Sequence, residues 1–127
     1  MYTFLYVEDN LDNVRLMESI IDQMENSQLR SVCSAEQGID FARREFPDII
    51  LMDINLPGMS GIEALKQLQD KAETSHIPVI AITAAALPSE VEAGLRAGFK
   101  GYITKPIDLK ELIRTIEEVL AGVKDSR

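Results

Sequence analysis

The sequence predicts an α/β fold: a (βα)5 unit whose doubly wound, parallel five-stranded sheet carries helices on both faces. Two observations support this prediction. Short apolar runs alternate with longer segments of helical periodicity, and this strand–helix pair occurs five times along the 127 residues. The strongest apolar runs also contain no polar residue, which is typical of parallel strands that are covered on both faces.

Five segments are the predicted strands. Three are strongly apolar, one is shorter, and one is a weaker segment that contains the only cysteine. In chain order they are Phe4–Val7, Leu29–Cys33, Ile49–Met52, Val79–Ile82 and Tyr102–Ile103. We expect Cys33 to be buried, because a free cysteine packs as a small apolar residue.

Apolar residues at three- and four-residue spacing predict the first, third and fifth helices. Their stripes are Leu11, Val14, Met17, Ile21 and Met24; Ile62, Leu65 and Leu68; and Leu109, Leu112, Ile113, Ile116 and Leu120. The second and fourth helices are predicted over Ala35–Phe46 and Pro88–Ala97.

Capping residues indicate where several helices begin. Ser34, Ser60 and Asp108 each stand three positions before a Glu or Gln, a spacing typical of a helix N-terminus. The fifth helix is predicted to end near Ala121-Gly122. A single domain would then cover residues 1–122, followed by a short polar tail over residues 123–127.

Composition narrows the class of function. Thirteen basic and 21 acidic residues give a net charge of −8, which argues against a nucleic-acid partner, because phosphate backbones attract a basic face. One cysteine excludes an intramolecular disulfide and favours a reducing compartment. No apolar run approaches the roughly 20 residues that span a bilayer, and the N-terminus lacks a signal-peptide pattern. We predict a cytoplasmic monomer with no membrane partner.

Polar residues collect where the predicted strands end. Glu8-Asp9 follow the first strand, Asp53 and Thr83 end the third and fourth, and Lys105-Pro106 follow the fifth. In an open parallel sheet, ligands bind beyond the carboxyl ends of the strands. Neighbouring strands lie about 4.8 Å apart, so these side chains come within reach if strands one, three, four and five are adjacent in that order.

Three carboxylates and a lysine at one sheet edge suggest phosphoryl transfer. The carboxylates repel one another unless a cation lies between them, and Mg²⁺ prefers oxygen ligands of this kind. Positioning and charge neutralisation provide most of the catalysis in phosphoryl transfer, and a metal ion with a nearby ammonium supplies both. Asp53 would be the nucleophile.

Four segments together resemble the response regulator receiver family. They are Glu8-Asp9-Asn10, Met52–Gly61, Ile82–Ala84 and Tyr102–Pro106, and they occur in the family's order. The resemblance covers residues 3–121. The opening from Glu8 to Asn13 is similar to that of stand-alone receivers and of receivers attached to hybrid histidine kinases. The resemblance implies a flavodoxin-like strand order of 2-1-3-4-5.

The resemblance also implies a role for each site residue. Asp53 takes a phosphoryl group from a phosphohistidine on a histidine kinase or histidine phosphotransfer protein. The resemblance implies that the metal ion is coordinated by Glu8, Asp9, Asp53 and the Asn55 backbone carbonyl. The phosphoryl group would be bound by the Thr83 hydroxyl and the Ala84 amide, and Lys105 would pair with its charge. Switching would involve Thr83, Tyr102 and a cis peptide bond before Pro106. Mg²⁺ is the expected cofactor, and Mn²⁺ could substitute. Because Glu8 stands where many members have Asp, we expect it to reach the metal directly or through a water molecule.

Output is expected through protein contact, because no effector domain is recognised in the sequence. The resemblance implies that the fourth helix, fifth strand and fifth helix, about Pro88–Ala121, change on phosphorylation. It implies a phosphoacceptor switch that catalyses its own phosphorylation and slow dephosphorylation, and not an enzyme acting on other substrates. Neither Asn55 nor Ala85 offers a base for an attacking water.

Other interpretations use the same residues. An aspartyl phosphatase would need an acid two positions after its nucleophile, where this chain has Asn55, whose amide cannot transfer a proton in that role. A flavin-binding electron carrier would need a phosphate-binding loop where Glu8 and Asp9 stand. A degenerate receiver would not need the complete set of acids, hydroxyl and lysine. Glu8-Asp9-Asn10 could also simply cap the first helix, and Tyr102 could be only an edge-strand aromatic.

Overall fold

Strands and helices alternate along the chain in the computed structural model, which describes residues 1–84 and 87–125. The strands are β1 (Tyr2–Val7), β2 (Ser27–Val32), β3 (Ile49–Asp53), β4 (Val79–Thr83) and β5 (Gly101–Thr104). The helices are α1 (Leu11–Asp22), α2 (Ala35–Glu45), α3 (Gly61–Gln69), α4 (Pro88–Ala97) and α5 (Leu109–Asp125). All five predicted strand–helix pairs are present, and α4 has the predicted bounds.

The strands form one parallel sheet in the order β2-β1-β3-β4-β5, which confirms the predicted order. The registers bring the carboxyl ends of four strands side by side. Val7 pairs with Met52, Asp53 with Ile82, and Thr83 with Thr104. Because all strands run in one direction, the residues that end or follow β1, β3, β4 and β5 emerge at the same edge of the sheet.

Helices cover both faces of the sheet, as predicted. On one face, strand residues such as Leu5, Val7 and Met52 pack with buried side chains of α2 and α3. On the other face, Phe4 and Leu51 pack with buried side chains of α1 and α5. Successive strand residues point to opposite faces, so β3 and β4 are buried at every position. This explains their uninterrupted apolar sequences.

The predicted helix starts are confirmed by their hydrogen bonds. In each case, the side-chain oxygen of the cap accepts a hydrogen bond from the backbone N–H three residues on, at 2.9 to 3.2 Å. Such bonds satisfy backbone donors that the first turn of a helix leaves unpaired. The caps are Ser34 in α2, Ser60 in α3 and Asp108 in α5.

The predicted end of the fifth helix is wrong. The helix does not stop near Ala121-Gly122 but continues to Asp125, and residues 126–127 of the predicted tail lie outside the described part of the chain. Gly122 does not take the left-handed conformation that ends many helices, whereas Gly98 after α4 does, with φ +121°. Neither α5 nor any other helix in the described ranges is both long and apolar enough to cross a membrane.

The predicted burial of Cys33 is also wrong, because its side chain is exposed. β2 is an edge strand that pairs with β1 alone and ends at Val32. Cys33 therefore lies in the loop before α2, where its backbone N–H donates to Gln37 Oε1 at 2.9 Å.

Candidate functional site

The acids, threonine and lysine singled out in the sequence lie together at the carboxyl edge of the sheet. Asp53 is the last residue of β3 and Thr83 the last of β4, while Glu8 directly follows β1 and Lys105 directly follows β5. Backbone pairing continues past the strand ends. The Glu8 N–H donates to the Val32 carbonyl at 3.0 Å, and the Lys105 N–H donates to the Thr83 carbonyl at 2.8 Å. The sheet thus fixes the backbone from which these side chains project.

Lys105 joins the two buried acids of the site. Its Nζ lies 2.9 Å from Asp53 Oδ2 and 3.6 Å from Glu8 Oε2. Only 2% of Glu8 and 4% of Asp53 is exposed, so both carboxylates are removed from water. Burial by itself would lower the pKa of Lys105, but its hydrogen bond to Asp53 raises it. The lysine therefore stays charged and partly neutralises the pair.

The two acids differ in how readily they ionise. Burial, followed by hydrogen bonding with Asp53, raises the pKa of Glu8 to about 7. Burial also acts to raise the pKa of Asp53, but hydrogen bonds with Glu8, Lys105 and the Asn55 amide outweigh it and lower that pKa below its usual value. Asp53 therefore ionises more readily than Glu8, and Glu8 holds a proton to a higher pH. Asp53 is the carboxylate that can act as a nucleophile at neutral pH.

Each carboxylate oxygen has a distinct environment. Asp53 Oδ1 accepts a hydrogen bond from the Asn55 N–H at 2.8 Å, and Glu8 Oε1 accepts one from Asn13 Nδ2 at 2.8 Å. Glu8 Oε2 is buried, and with both acids ionised it accepts no hydrogen bond from residues 1–84 or 87–125. Because buried polar atoms are nearly always partnered, an oxygen of this kind suits a cation, and the residues present fit a divalent metal ion.

The structure does not gather all of the predicted metal ligands. Asp9 is exposed, and within the described ranges no three Asp, Glu, His or Cys side chains lie close enough to hold a metal ion by themselves. Asn55 adjoins the site through its N–H bond to Asp53.

Thr83 and Tyr102, the residues expected to act as a switch, are in contact. Thr83 is fully buried, and its hydroxyl oxygen accepts a hydrogen bond from Asn55 Nδ2 at 2.9 Å. Burial raises the pKa of the Tyr102 phenol, and a hydrogen bond with Thr83 opposes that rise. Thr83 therefore connects the acid cluster, through Asn55, to an aromatic residue of β5.

The remaining predicted residues flank this cluster. The peptide bond between Lys105 and Pro106 is cis, the isomer that the family resemblance implies. Ala84 directly follows β4 and is exposed. Ala85, which offers no base for dephosphorylation, lies outside the described residues.

Comparison with known proteins identifies the family. A sequence model of the response regulator receiver domain matches residues 4–117. The chain belongs to the response regulator receiver family. Among its relatives, the polar-differentiation response regulator DivK of Brucella ovis is 41% identical over 116 residues, which cover 91% of this chain and 94% of DivK. Receivers of this family act in two-component signalling, where they interact with histidine kinases and downstream targets.

Solved receiver structures share the fold. The CheY-like receiver domain protein of Methanospirillum hungatei matches with a TM-score of 0.88 and 25% identity, covering 100% of this chain and 99% of that one. The receiver domain of the sensor histidine kinase PA1611 from Pseudomonas aeruginosa matches with a TM-score of 0.85 and 31% identity, covering 94% of this chain and 98% of that one. The PA1611 structure has a magnesium ion coordinated in its active-site cleft.

The sequence interpretation assigned no chemical role to two residues of this receiver's site, one of which ends the Glu8–Asn13 opening. Asn13 lies in α1 and its side chain contacts Glu8. The feature of the sequence that could have indicated this contact is an asparagine, a poor helix former, in the first turn of a helix. Tyr6 precedes Glu8 by two residues on β1, and its fully buried hydroxyl has no hydrogen-bond partner among the described residues. Burial, and then the charges of Glu8 and Asp53, raise the pKa of Tyr6. The feature of the sequence that could have drawn attention to Tyr6 is a phenol within an otherwise apolar predicted strand.

Proposed function

We propose that Asp53 accepts a phosphoryl group from a phosphohistidine on a histidine kinase or a histidine phosphotransfer protein. The observation that carries this proposal is the state of Asp53, a nearly buried, ionised carboxylate whose Oδ2 lies 2.9 Å from Lys105 Nζ. A buried acid with a perturbed pKa and a specific cationic partner is typical of a functional site.

The transfer assigns a role to each neighbour of Asp53. An Asp53 oxygen attacks phosphorus and forms an acyl phosphate, while the P–N bond to the histidine ring breaks and the ring leaves with the electron pair. Lys105 neutralises charge on the phosphoryl oxygens, which carry most of the negative charge in the transition state. We assign the Thr83 hydroxyl and the Ala84 N–H as further donors to those oxygens. The Asn55 N–H fixes the orientation of the Asp53 carboxylate.

We assign a magnesium ion to the same cleft, for which manganese could substitute. Glu8 and Asp53 would hold it together with Asp9 and the Asn55 backbone carbonyl, and Glu8 would act directly or through a water molecule. The bound ion supplies charge neutralisation for phosphoryl transfer. Support comes from the buried Glu8 Oε2, which accepts no hydrogen bond from the described residues, and from the magnesium in the PA1611 receiver.

The proposed output is a change in protein contacts. Because Thr83 bonds to Asn55 and also to Tyr102, a Thr83 hydroxyl that turns to a phosphoryl oxygen would alter both contacts. The resulting shift of a two-state equilibrium would change the surface of α4, β5 and α5, about Pro88–Ala121. We propose that the receiver binds its downstream target through this surface. We also propose that it is cytoplasmic and monomeric.

We also propose that the chain is a switch and not an enzyme acting on other substrates. Asn55 stands two residues after Asp53, where a hydrolase would need an acid, and an amide cannot accept a proton from water in that role. The acyl phosphate should therefore be lost slowly. A lifetime of seconds at neutral pH would contradict this part of the proposal.

The test is intact-mass measurement after incubation with acetyl phosphate, with and without magnesium chloride. Wild-type protein should gain the mass of one phosphoryl group only when magnesium is present, and Asp53→Asn should gain none. Asp48→Asn is the matched control, because Asp48 is an acid at the opposite end of β3 whose Oδ2 accepts a hydrogen bond from the Thr3 N–H. Equal labelling of wild type and Asp53→Asn would contradict the proposal.

A further inference from the structure

Asn13 makes a side-chain contact that the start of its helix does not require. The cap of α1 uses the Asn13 backbone, whose N–H donates to Asn10 Oδ1 at 3.1 Å. The Asn13 side chain takes no part in that cap. Its Nδ2 instead donates to Glu8 Oε1 at 2.8 Å, across the loop between β1 and α1. Asparagine is also a poor helix former, so local helix stability does not explain the residue.

This contact makes the two oxygens of Glu8 unequal. Oε1 is bound to the Asn13 amide, while Oε2 lies 3.6 Å from Lys105 Nζ and accepts no hydrogen bond from any described residue. Glu8 has a longer and more flexible side chain than the aspartate found in many receivers. A hydrogen bond that fixes one of its two carboxylate oxygens removes much of that freedom.

We propose that Asn13 is a positioning residue for magnesium binding, which it supports by holding Glu8 Oε1 so that Oε2 stays directed into the cleft. This inference rests on the proposed function, because it assumes that Glu8 serves a metal ion. Hydrogen-bonded partners of metal ligands typically contribute about 10–100-fold to metal affinity. Because Glu8 is one ligand of several, we expect the lower end, about tenfold.

The experiment measures magnesium binding by titration calorimetry at pH 8 on the full chain. Asn13→Leu keeps the branched shape and the number of heavy atoms while removing the amide, and Asn13→Ala is a second variant in case the larger leucine side chain packs poorly. Both should weaken magnesium binding about tenfold. Asn10→Ala is the matched control, because it removes the α1 cap but leaves the Asn13 amide on Glu8. Its thermal stability should fall, while its magnesium affinity stays within about twofold of wild type.

A double-mutant cycle with Glu8→Ala separates positioning from a general structural role. If Asn13 acts through Glu8, Asn13→Leu should have no further effect on magnesium affinity once Glu8 is removed. Unchanged affinity in both Asn13 variants, an equal loss in Asn10→Ala, or an undiminished loss in the Glu8→Ala background would each overturn the inference. Wild-type protein that binds no magnesium would instead overturn the proposed function itself.

Discussion

Replacing Glu8 by Gln should stabilise the metal-free protein at alkaline pH, although Glu8 belongs to the site. Glu8 is 2% exposed and lies beside the ionised Asp53, and its pKa is raised from 4.5 to about 7. Above pH 7 the folded protein must hold an ionised Glu8 in this setting, whereas Gln carries no charge. Gln also keeps an N–H that can donate to Asp53, as the protonated Glu8 does.

The magnitude follows from the rise in the Glu8 pKa. A change from 4.5 to about 7 corresponds to about 3 kcal/mol of unfolding free energy that wild type loses as the pH rises through this range. Solvent reaches the cleft beside Lys105, whose side chain is 27% exposed, so screening should reduce the measured effect to about 1–2 kcal/mol.

The size of this stabilisation depends on pH, whereas its sign does not. At pH 5, Glu8 keeps its proton in the folded state and has lost only part of it in the unfolded state. The gain in unfolding free energy from Glu8→Gln at pH 5 should therefore be about a quarter of the gain at pH 8. Urea denaturation at both pH values, without divalent ions, measures this difference. Saturating magnesium should then favour wild type, because it binds the folded state through Glu8. A variant that is less stable than wild type at pH 8 without metal would refute the reasoning.

Three further predictions concern neighbouring residues. Tyr6→Phe should raise the free energy of unfolding by about 1 kcal/mol, because it removes a buried hydroxyl that has no hydrogen-bond partner among the described residues; a loss of that size in urea denaturation would show that the hydroxyl is bonded. Gly61→Ala should lower stability by about 2 kcal/mol, because its Cβ would lie 2.8 Å from Ile54 Cα; unchanged stability would contradict the packing of the β3–α3 loop. Magnesium binding should weaken about tenfold from pH 8 to pH 6 in calorimetry, because the ion displaces the Glu8 proton; a pH-independent affinity would contradict the raised pKa.

The sequence predicted features that depend on local pattern. The bounds of α4 and the caps at Ser34 and Ser60 were predicted correctly, because helix start and stop signals act within one turn of helix. The edge position of Asp53 followed from the apolar run before it, since a parallel strand that is buried on both faces ends where polar residues begin.

Other features depend on which elements become neighbours, and the pattern did not contain them. Cys33 looked like the end of a buried strand, but β2 lies at the sheet edge and ends one residue earlier. The bond from Asn13 to Glu8 joins a helix side chain to a strand end, so it forms only when the loop between them is folded. Asp9 is exposed whereas Glu8 and Asp53 are buried, a difference that residue types alone do not indicate.

The most direct test of the account is to identify the carboxylate that carries the phosphoryl group. After incubation with acetyl phosphate and magnesium, borohydride reduces an aspartyl phosphate to homoserine, and peptide mass spectrometry locates the modified position. Among the 21 acidic residues, we expect modification at Asp53 alone. Homoserine at Asp9 or Asp48, or modification that does not depend on magnesium, would contradict the central claim.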